Sequence, residues 1–406
     1  MKKSRSLGTA LLCSSLALAS CASSNDDVDT TGGLDGEPIV IGVQSLDTGP
    51  VAYPQNTYGA EAAEWYINNE MGGINGQPIE LNICSGDGTP ETGVKCANSF
   101  VKDDMPVVFD AYDGTSMGAM TPILKEAGIP IVGLLAGQAV AESADYGTAF
   151  YFSGPLETSA LGMVTVLANE GKKTASLALT DAPSSHGYVD DLVVPMGEKL
   201  GVDVTGVYVK ADNINFQTLA ATELDGDPDV AGIIALPEEA CTGLLGALRQ
   251  SGFDGTAFMG SCSQFIEELP GEQAAGAIVQ PRLWVPESYE HAPAEVQDQL
   301  DSFAEAMEEV GYEDEQSARS LYSFAGLVNL ATIMSDIDGE ITSESVLEAM
   351  KGLKDFPTFA GPTVTCDGEQ WPDRPGACSH EGIFFEVQDD GTLKPVDDAG
   401  YIDLNP

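Results

Sequence analysis

Apolar and polar positions along this chain follow a strand period and a helix period by turns. Ile39-Val40-Ile41-Gly42-Val43 is a short β-branched run ended by the breaker Thr48-Gly49-Pro50, which predicts a buried strand. From Tyr58 to Met71 the apolar residues Ala62, Trp65, Tyr66 and Ile67 recur at helical spacing, and Gly72-Gly73 closes the run as a helix C-cap. Ile74 to Gln77 then turns the chain into a second strand-like segment, Pro78 to Ile83. Strand, helix and strand at this spacing make a βαβ unit, whose right-handed crossover implies a parallel sheet with helices on its faces.

The alternation continues. Helix is expected over Thr89 to Val101 and Ser116 to Ala127, and strand over Val107 to Phe109 and Ile129 to Leu134, which completes one doubly wound lobe. After Phe150 to Pro155 a second set begins. Its helices are read at Thr158 to Asn169, Gly187 to Leu200, Asn215 to Thr222 and Cys241 to Gln250. Its strands are read at Thr174 to Leu179, Thr205 to Val209, Val230 to Ala235 and Ala257 to Met259, with Ala277 to Gln280 as the edge strand. Pro293 to Val310, Ser317 to Ser335 and Thr342 to Lys351 are helical. Beyond Phe356, Asp389-Asp390-Gly391 between Gly382 to Val387 and Thr392 to Val396 is a hairpin signal.

The opening βαβ residues, from Ile39 through the Thr48-Gly49-Pro50 turn to Leu81, together with Val107 to Val132, resemble the leucine/isoleucine/valine-type solute-binding proteins of ABC importers. The resemblance covers the chain to about Trp284 and is weaker beyond. It implies a type I periplasmic-binding-protein fold, α/β, with two doubly wound parallel-sheet lobes joined by a hinge. Lobe I would comprise 38–156 and 282–355, lobe II 157–281, and 356–406 would be a C-terminal segment near the hinge or lobe II. Such a receptor closes on a small molecule and presents it to a membrane permease.

Lys2, Lys3 and Arg5 precede an apolar segment, Leu7 to Ala19, too short to span a bilayer, which has the form of an export signal over 1–20. Leu18-Ala19-Ser20-Cys21 resembles a bacterial lipobox, so Cys21 is the expected lipidated first residue of an extracytoplasmic, membrane-anchored protein, with 21–37 as a flexible acidic tether. Asp27, Asp29 and Gly32 suggest a calcium loop, but Pro38 stands where its glutamate should be.

The 406 residues are 43% hydrophobic, enough for a substantial core. The formal charge is −47, and removal of the three basic residues of the signal leaves 14 basic against 64 acidic side chains, or −50. Such a surface repels nucleic acid and anionic lipid and is read as a solubility feature. Eight cysteines less Cys13 and Cys21 leave six, an even number consistent with disulfides outside the cytoplasm. Sequence does not choose their connectivity. Neighbour pairing is the working assignment: Cys84 with Cys96, Cys241 with Cys262, Cys366 with Cys378. Zinc is not expected, for want of a CxxC pair.

Open parallel sheets bind ligands beyond the carboxyl ends of their strands. In lobe I that selects Gln44 to Tyr53, including Asp47, then Asp110 to Ser116, including Tyr112, and Leu135-Ala136-Gly137-Gln138. In proteins of the resembling family, the loops matching Gly114-Thr115 and Leu135 to Gly137 hold an amino acid's carboxylate, and the helix beginning near Thr115 could do so by its dipole. In lobe II the loops are Ser184 to Tyr188, Leu236 to Glu239 and Gly260 to Ser263, which includes Ser261. Two departures stand out. The family often has tyrosine at His186, and an acidic residue that pairs with the amino group at Cys262. Glu238 or Glu239, brought near by a Cys241–Cys262 bridge, could replace that acid. Trp284, Tyr53 and Tyr112 are candidate apolar walls.

An enzyme alternative rests on Gly114-Thr115-Ser116-Met117-Gly118, which fits the G-x-S-x-G elbow, with Asp181 and His186 following in order. The run belongs to the receptor resemblance and the two partners to the other lobe, so no catalysis is expected. A ligand-sensing receptor without transport is the remaining alternative. The expectation is a monomeric binding protein without cofactor or metal, taking a branched-chain or other amino acid, with an amide, urea or small acid as alternatives.

Overall fold

A computed structural model describes residues 33–34, 36–49, 52–114, 116–136, 146–210 and 213–405. The signal, the lipobox at Cys21, Thr115, Gly137 and Gln138 lie outside these residues. The first lobe is built from β1 (Ile39–Leu46), α1 (Gln55–Asn69), β2 (Ile79–Gly86), α2 (Pro90–Lys102), β3 (Val108–Asp110), α3 (Met117–Ala127), β4 (Ile131–Gly133) and β5 (Ala149–Tyr151). Its sheet runs β2-β1-β3-β4-β5, and every pairing is parallel. Thr89 starts α2 by accepting the Thr92 N–H, and Gly128 ends α3 in the left-handed conformation.

The second lobe follows with α4 (Leu156–Asn169), β6 (Thr174–Thr180), α5 (Pro183–Gly187), α6 (Val194–Leu200), β7 (Asp203–Val209), α7 (Phe216–Glu223), β8 (Val230–Ala235), α8 (Glu238–Gln250), β9 (Thr256–Phe258) and β10 (Ala277–Val279). Where one helix was expected over Gly187 to Leu200, a π-helical turn, Tyr188–Val193, joins α5 to α6. The polypeptide then returns to the first lobe as α9 (Ala294–Glu309), α10 (Ala318–Ser335) and α11 (Ser343–Gly352). Helix α10 is almost wholly buried, and Phe324 meets Phe303 and Phe359 edge-on at 5.2 and 5.3 Å.

One expectation is corrected. Strand β10 is interior, because β11 (Phe385–Val387) and β12 (Leu393–Pro395) add an antiparallel hairpin outside it, giving the order β12-β11-β10-β9-β8-β6-β7. The C-terminal segment also reaches the first lobe. Tyr151 donates its N–H to Gly376 and accepts from the Cys378 N–H, so the Cys366–Cys378 loop lies along the free edge of β5. One tail therefore extends the second sheet beyond β10 and pairs with the edge of the first at Tyr151. The two other disulfides join Cys84 to Cys96 and Cys241 to Cys262, as assigned.

Candidate functional site

The carboxyl ends of β1 and β3 lie side by side, with Gln44 opposite Asp110 in register. Both are buried. Asp110 accepts the Asp113 N–H at 2.8 Å and the Tyr151 hydroxyl at 2.9 Å, and burial pushes its carboxyl up to about 7 against those hydrogen bonds. Asp113 in turn accepts from Gln44 Nε2 at 2.8 Å, from the Ser116 N–H at 2.9 Å and from the Ser116 hydroxyl. The expectation for this loop changes accordingly: the donors at Ser116 serve an internal carboxylate. Gly114 follows in the same turn, and Leu135 and Ala136 are buried after β4. Asp47 accepts hydroxyls from Ser45 at 2.7 Å, Thr57 at 2.6 Å and Ser85, which ties the loop after β1 to β2 and α1.

Tyr53 and Tyr112 stand over this floor with ring centroids 6.1 Å apart. Between them lies Arg319, in the first turn of α10, its guanidinium carbon 4.3 Å from the Tyr53 ring and 4.7 Å from Tyr112. Tyr322, one turn on, is 5.9 Å away and donates its hydroxyl to the Pro281 carbonyl. The second lobe faces this group. Burial raises the Tyr53 phenol above its ordinary value; Arg319 draws it down, while Tyr112, Glu238 and Glu239 raise it further. Burial likewise raises Tyr322, lowered in turn by Arg319 and Arg282 and raised by Tyr112 and Glu238. Glu238 of the second lobe thus acts on two tyrosines of the first, and Glu239 on one.

Glu238 is the first residue of α8, and its Oε1 accepts the N–H groups of Ser263 at 2.6 Å and Gln264 at 2.8 Å. It therefore clasps the loop that follows Cys262, beside the bridge that joins that loop to α8. Glu238 and the two sulfurs come within ligand range of one another, but sulfurs joined in a disulfide offer no thiolate. Glu239 and Ser261 are exposed. His186 stacks on Tyr208 with centroids 3.7 Å apart, and its Nε2 is 3.0 Å from Asp181 Oδ1, so the ring is held against β7. Trp284 is 5% exposed and packs edge-on to Phe385 at 5.4 Å, under the C-terminal hairpin. Ser116, at 1% exposure, is hydrogen-bonded to Asp113, in the opposite lobe from His186.

A surface hollow of about 540 Å³ lies elsewhere, around Arg249 and Thr256 at the amino end of β9. Arg249 is committed there to the carbonyls of Gln273, Phe253, Gly255 and Ala275, so it pegs loops together. Sequence reasoning picked Tyr53, Tyr112, Glu238 and Glu239 and missed Arg319 and Tyr322. The available signal was an arginine opening a long apolar helical run in a chain with 17 basic residues among 406.

Residues 38–392 match the family model described as periplasmic binding protein. The chain belongs to the periplasmic binding protein family. Members work outside the cytoplasm, with which the three disulfides agree. Among solved structures of similar fold, an ABC transporter substrate-binding protein from Sphaerobacter thermophilus is 18% identical with a TM-score of 0.74, covering 91% of this chain and 99% of that one. The leucine binding protein LivK from Thermotoga maritima is 16% identical with a TM-score of 0.69, covering 88% and 97%. The branched-chain amino acid transporter substrate binding protein LivJ from Streptococcus pneumoniae, crystallised with isoleucine, is 16% identical with a TM-score of 0.69, covering 88% and 99%. No curated protein sequence matches the chain significantly. Two lobes built on largely parallel sheets make up the fold, and this periplasmic binding protein has no described helix long and apolar enough to cross a membrane.

Proposed function

We propose that this chain is the solute receptor of an ABC importer, tethered outside the cytoplasm by a lipid on Cys21 and acting as a monomer. The observation that carries the reading is that the carboxylates of Glu238 and Glu239, on the second lobe, act on the Tyr53 phenol of the first, which lies against Arg319. Polar side chains of both signs from two separate sheets converge at the carboxyl ends of their strands, where a small solute would bridge them. Binding across the cleft favours the closed form by the extra contacts made there, and the closed form is what a permease recognises. No covalent chemistry is involved. A buried Ser116 donating to Asp113, with His186 held on the other lobe, supports that part of the reading. The solute is a branched-chain or other amino acid in the first instance, with a neutral amide, a urea or a small acid as the alternatives.

The test is a thermal-shift screen of the purified protein against these classes, followed by small-angle scattering with each hit. A solute present at about a hundredfold its Kd adds roughly 2.7 kcal/mol of stability, readily visible as a raised melting point. A hit should also reduce the radius of gyration. Stabilisation without compaction would remove closure from the mechanism. Retention of a Cys21→Ser protein on membranes would remove the lipid anchor.

A further inference from the structure

We propose that Arg319 is the anion-binding residue of the cleft, and that the captured solute presents a carboxylate to its guanidinium. This rests on the receptor reading above. The guanidinium carbon lies 4.3 Å from the Tyr53 ring and 4.7 Å from the Tyr112 ring, on two adjacent sides of it, and the group hydrogen-bonds the Tyr112 phenol. A guanidinium has five N–H donors, and among the described residues only the Tyr112 phenol accepts from this one. Among the described residues no carboxylate lies within 4.0 Å of it. The other arginines beyond the signal are spoken for: Arg374 pairs with Glu157, Arg282 donates to the Gly154 carbonyl, and Arg249 holds four carbonyls.

A partly buried cation without an anion is costly, and buried charges are ordinarily paired. In a chain with 64 acidic side chains a partner is easily come by, so its absence here is informative. Rings rather than carboxylates surround the guanidinium, at 4.3, 4.7 and 5.9 Å, and its remaining N–H donors suit a small carboxylate. The other anion-binding feature of the first lobe, the start of α3, is already filled. Asp113 takes the Ser116 N–H and hydroxyl, and a second carboxylate there would meet the charge of the first. The ligand's acid group is therefore displaced from the α3 loop to Arg319. Glu239, exposed on the facing lobe, is left to receive a cationic or N–H donor end of the same molecule.

The experiment exposes purified wild type and Arg319→Gln to a metabolite extract, identifies bound solutes by native mass spectrometry, and measures each by calorimetry beside its carboxamide analogue. Leucine, leucinamide and 4-methylpentanoate form the defined set run in parallel. The expected result is a bound carboxylate, at least about a hundredfold weaker binding of its amide, and a similar loss in Arg319→Gln. Arg319→Lys, which keeps the charge and loses the planar fork, should bind at an intermediate level and guards against a folding defect in the glutamine variant. A bound solute without an anionic group, or an acid held as tightly by Arg319→Gln as by wild type, overturns the proposal and leaves the receptor reading standing. No bound solute from the extract or the defined set overturns both.

Discussion

Replacing Gly59 by alanine tests whether the first lobe is assembled as described. Gly59 is buried in α1 where that helix crosses α10, and a Cβ built on it would lie 1.9 Å from the Ser320 carbonyl oxygen and 2.6 Å from its carbon. Ordinary contacts between heavy atoms begin at about 3.5 Å, so the helices would have to part by roughly 1.5 Å. The obstacle is backbone, which has no rotamer to yield. Overpacking of this kind costs about 1–3 kcal/mol or more, and alanine's better helix propensity returns at most about 1 kcal/mol. A net loss of about 2 kcal/mol should lower the melting point by roughly 4–8 °C for a lobe of ordinary size. Because Arg319 precedes Ser320, the same displacement should pull its guanidinium off the Tyr53 ring and weaken solute binding. Gly352→Ala is the control, since nothing stands within 4 Å of its added methyl. Differential scanning fluorimetry of the three proteins decides the matter, and a Gly59→Ala melting point equal to or above wild type would refute the close helix crossing.

Two further outcomes are expected. Burial holds Glu223 up at about 9 against its backbone hydrogen bonds, of which the Gly232 N–H donates at 3.1 Å. Its unfolded form ionises near 4.5, so the folded state binds the extra proton between these values; stability is fullest below 4.5 and falls with rising pH, by about 1.4 kcal/mol per pH unit at the steepest. The gap in urea midpoint between wild type and Glu223→Gln should therefore change from pH 5 to pH 9, and a gap independent of pH would sink the assignment. The Cys84–Cys96 bridge closes a loop with a sequence separation of 12, so Cys84→Ser with Cys96→Ser should cost about 3 kcal/mol in urea unfolding; a loss below about 1 kcal/mol would show that the bridge does not constrain the unfolded chain.

Most elements were legible because their signals are local. Val230 to Ala235 is a β-branched run with nothing helical in its period, and Thr89 precedes Pro90, a combination that starts a helix on capping grounds alone. The π-helical turn at Tyr188–Val193 was not legible, since one extra residue per turn barely disturbs a helical pattern. The interior place of β10 was hidden for another reason. Its neighbour β11 has only three residues and comes from more than a hundred positions away, so the pairing leaves no local trace. Asp113 did leave one: an Asp three residues before Ser116 matches the capping-type bond that its carboxylate accepts from the Ser116 N–H, but the helix start was read at the serine alone.

The cleft was only half legible because its meaning is non-local. Tyr53, Tyr112 and Tyr322 are scattered along the chain, and each alone reads as a wall or a core ring; only the fold sets them around one guanidinium. Yet Arg319 broke a local rule that could have been noticed. It stands in the first turn of α10, where the helix dipole is positive and no acidic residue offsets it, at the head of a buried helix. Dipole, desolvation and the lack of a carboxylate partner among the described residues all oppose a cation there. Positions where a residue defies its local environment in several independent ways are where function is expected to intrude on folding. By that criterion Arg319 outranks every residue chosen from the loops, since Asp47, Asp113 and Glu238 each have a structural hydrogen-bonding role that suffices to account for them.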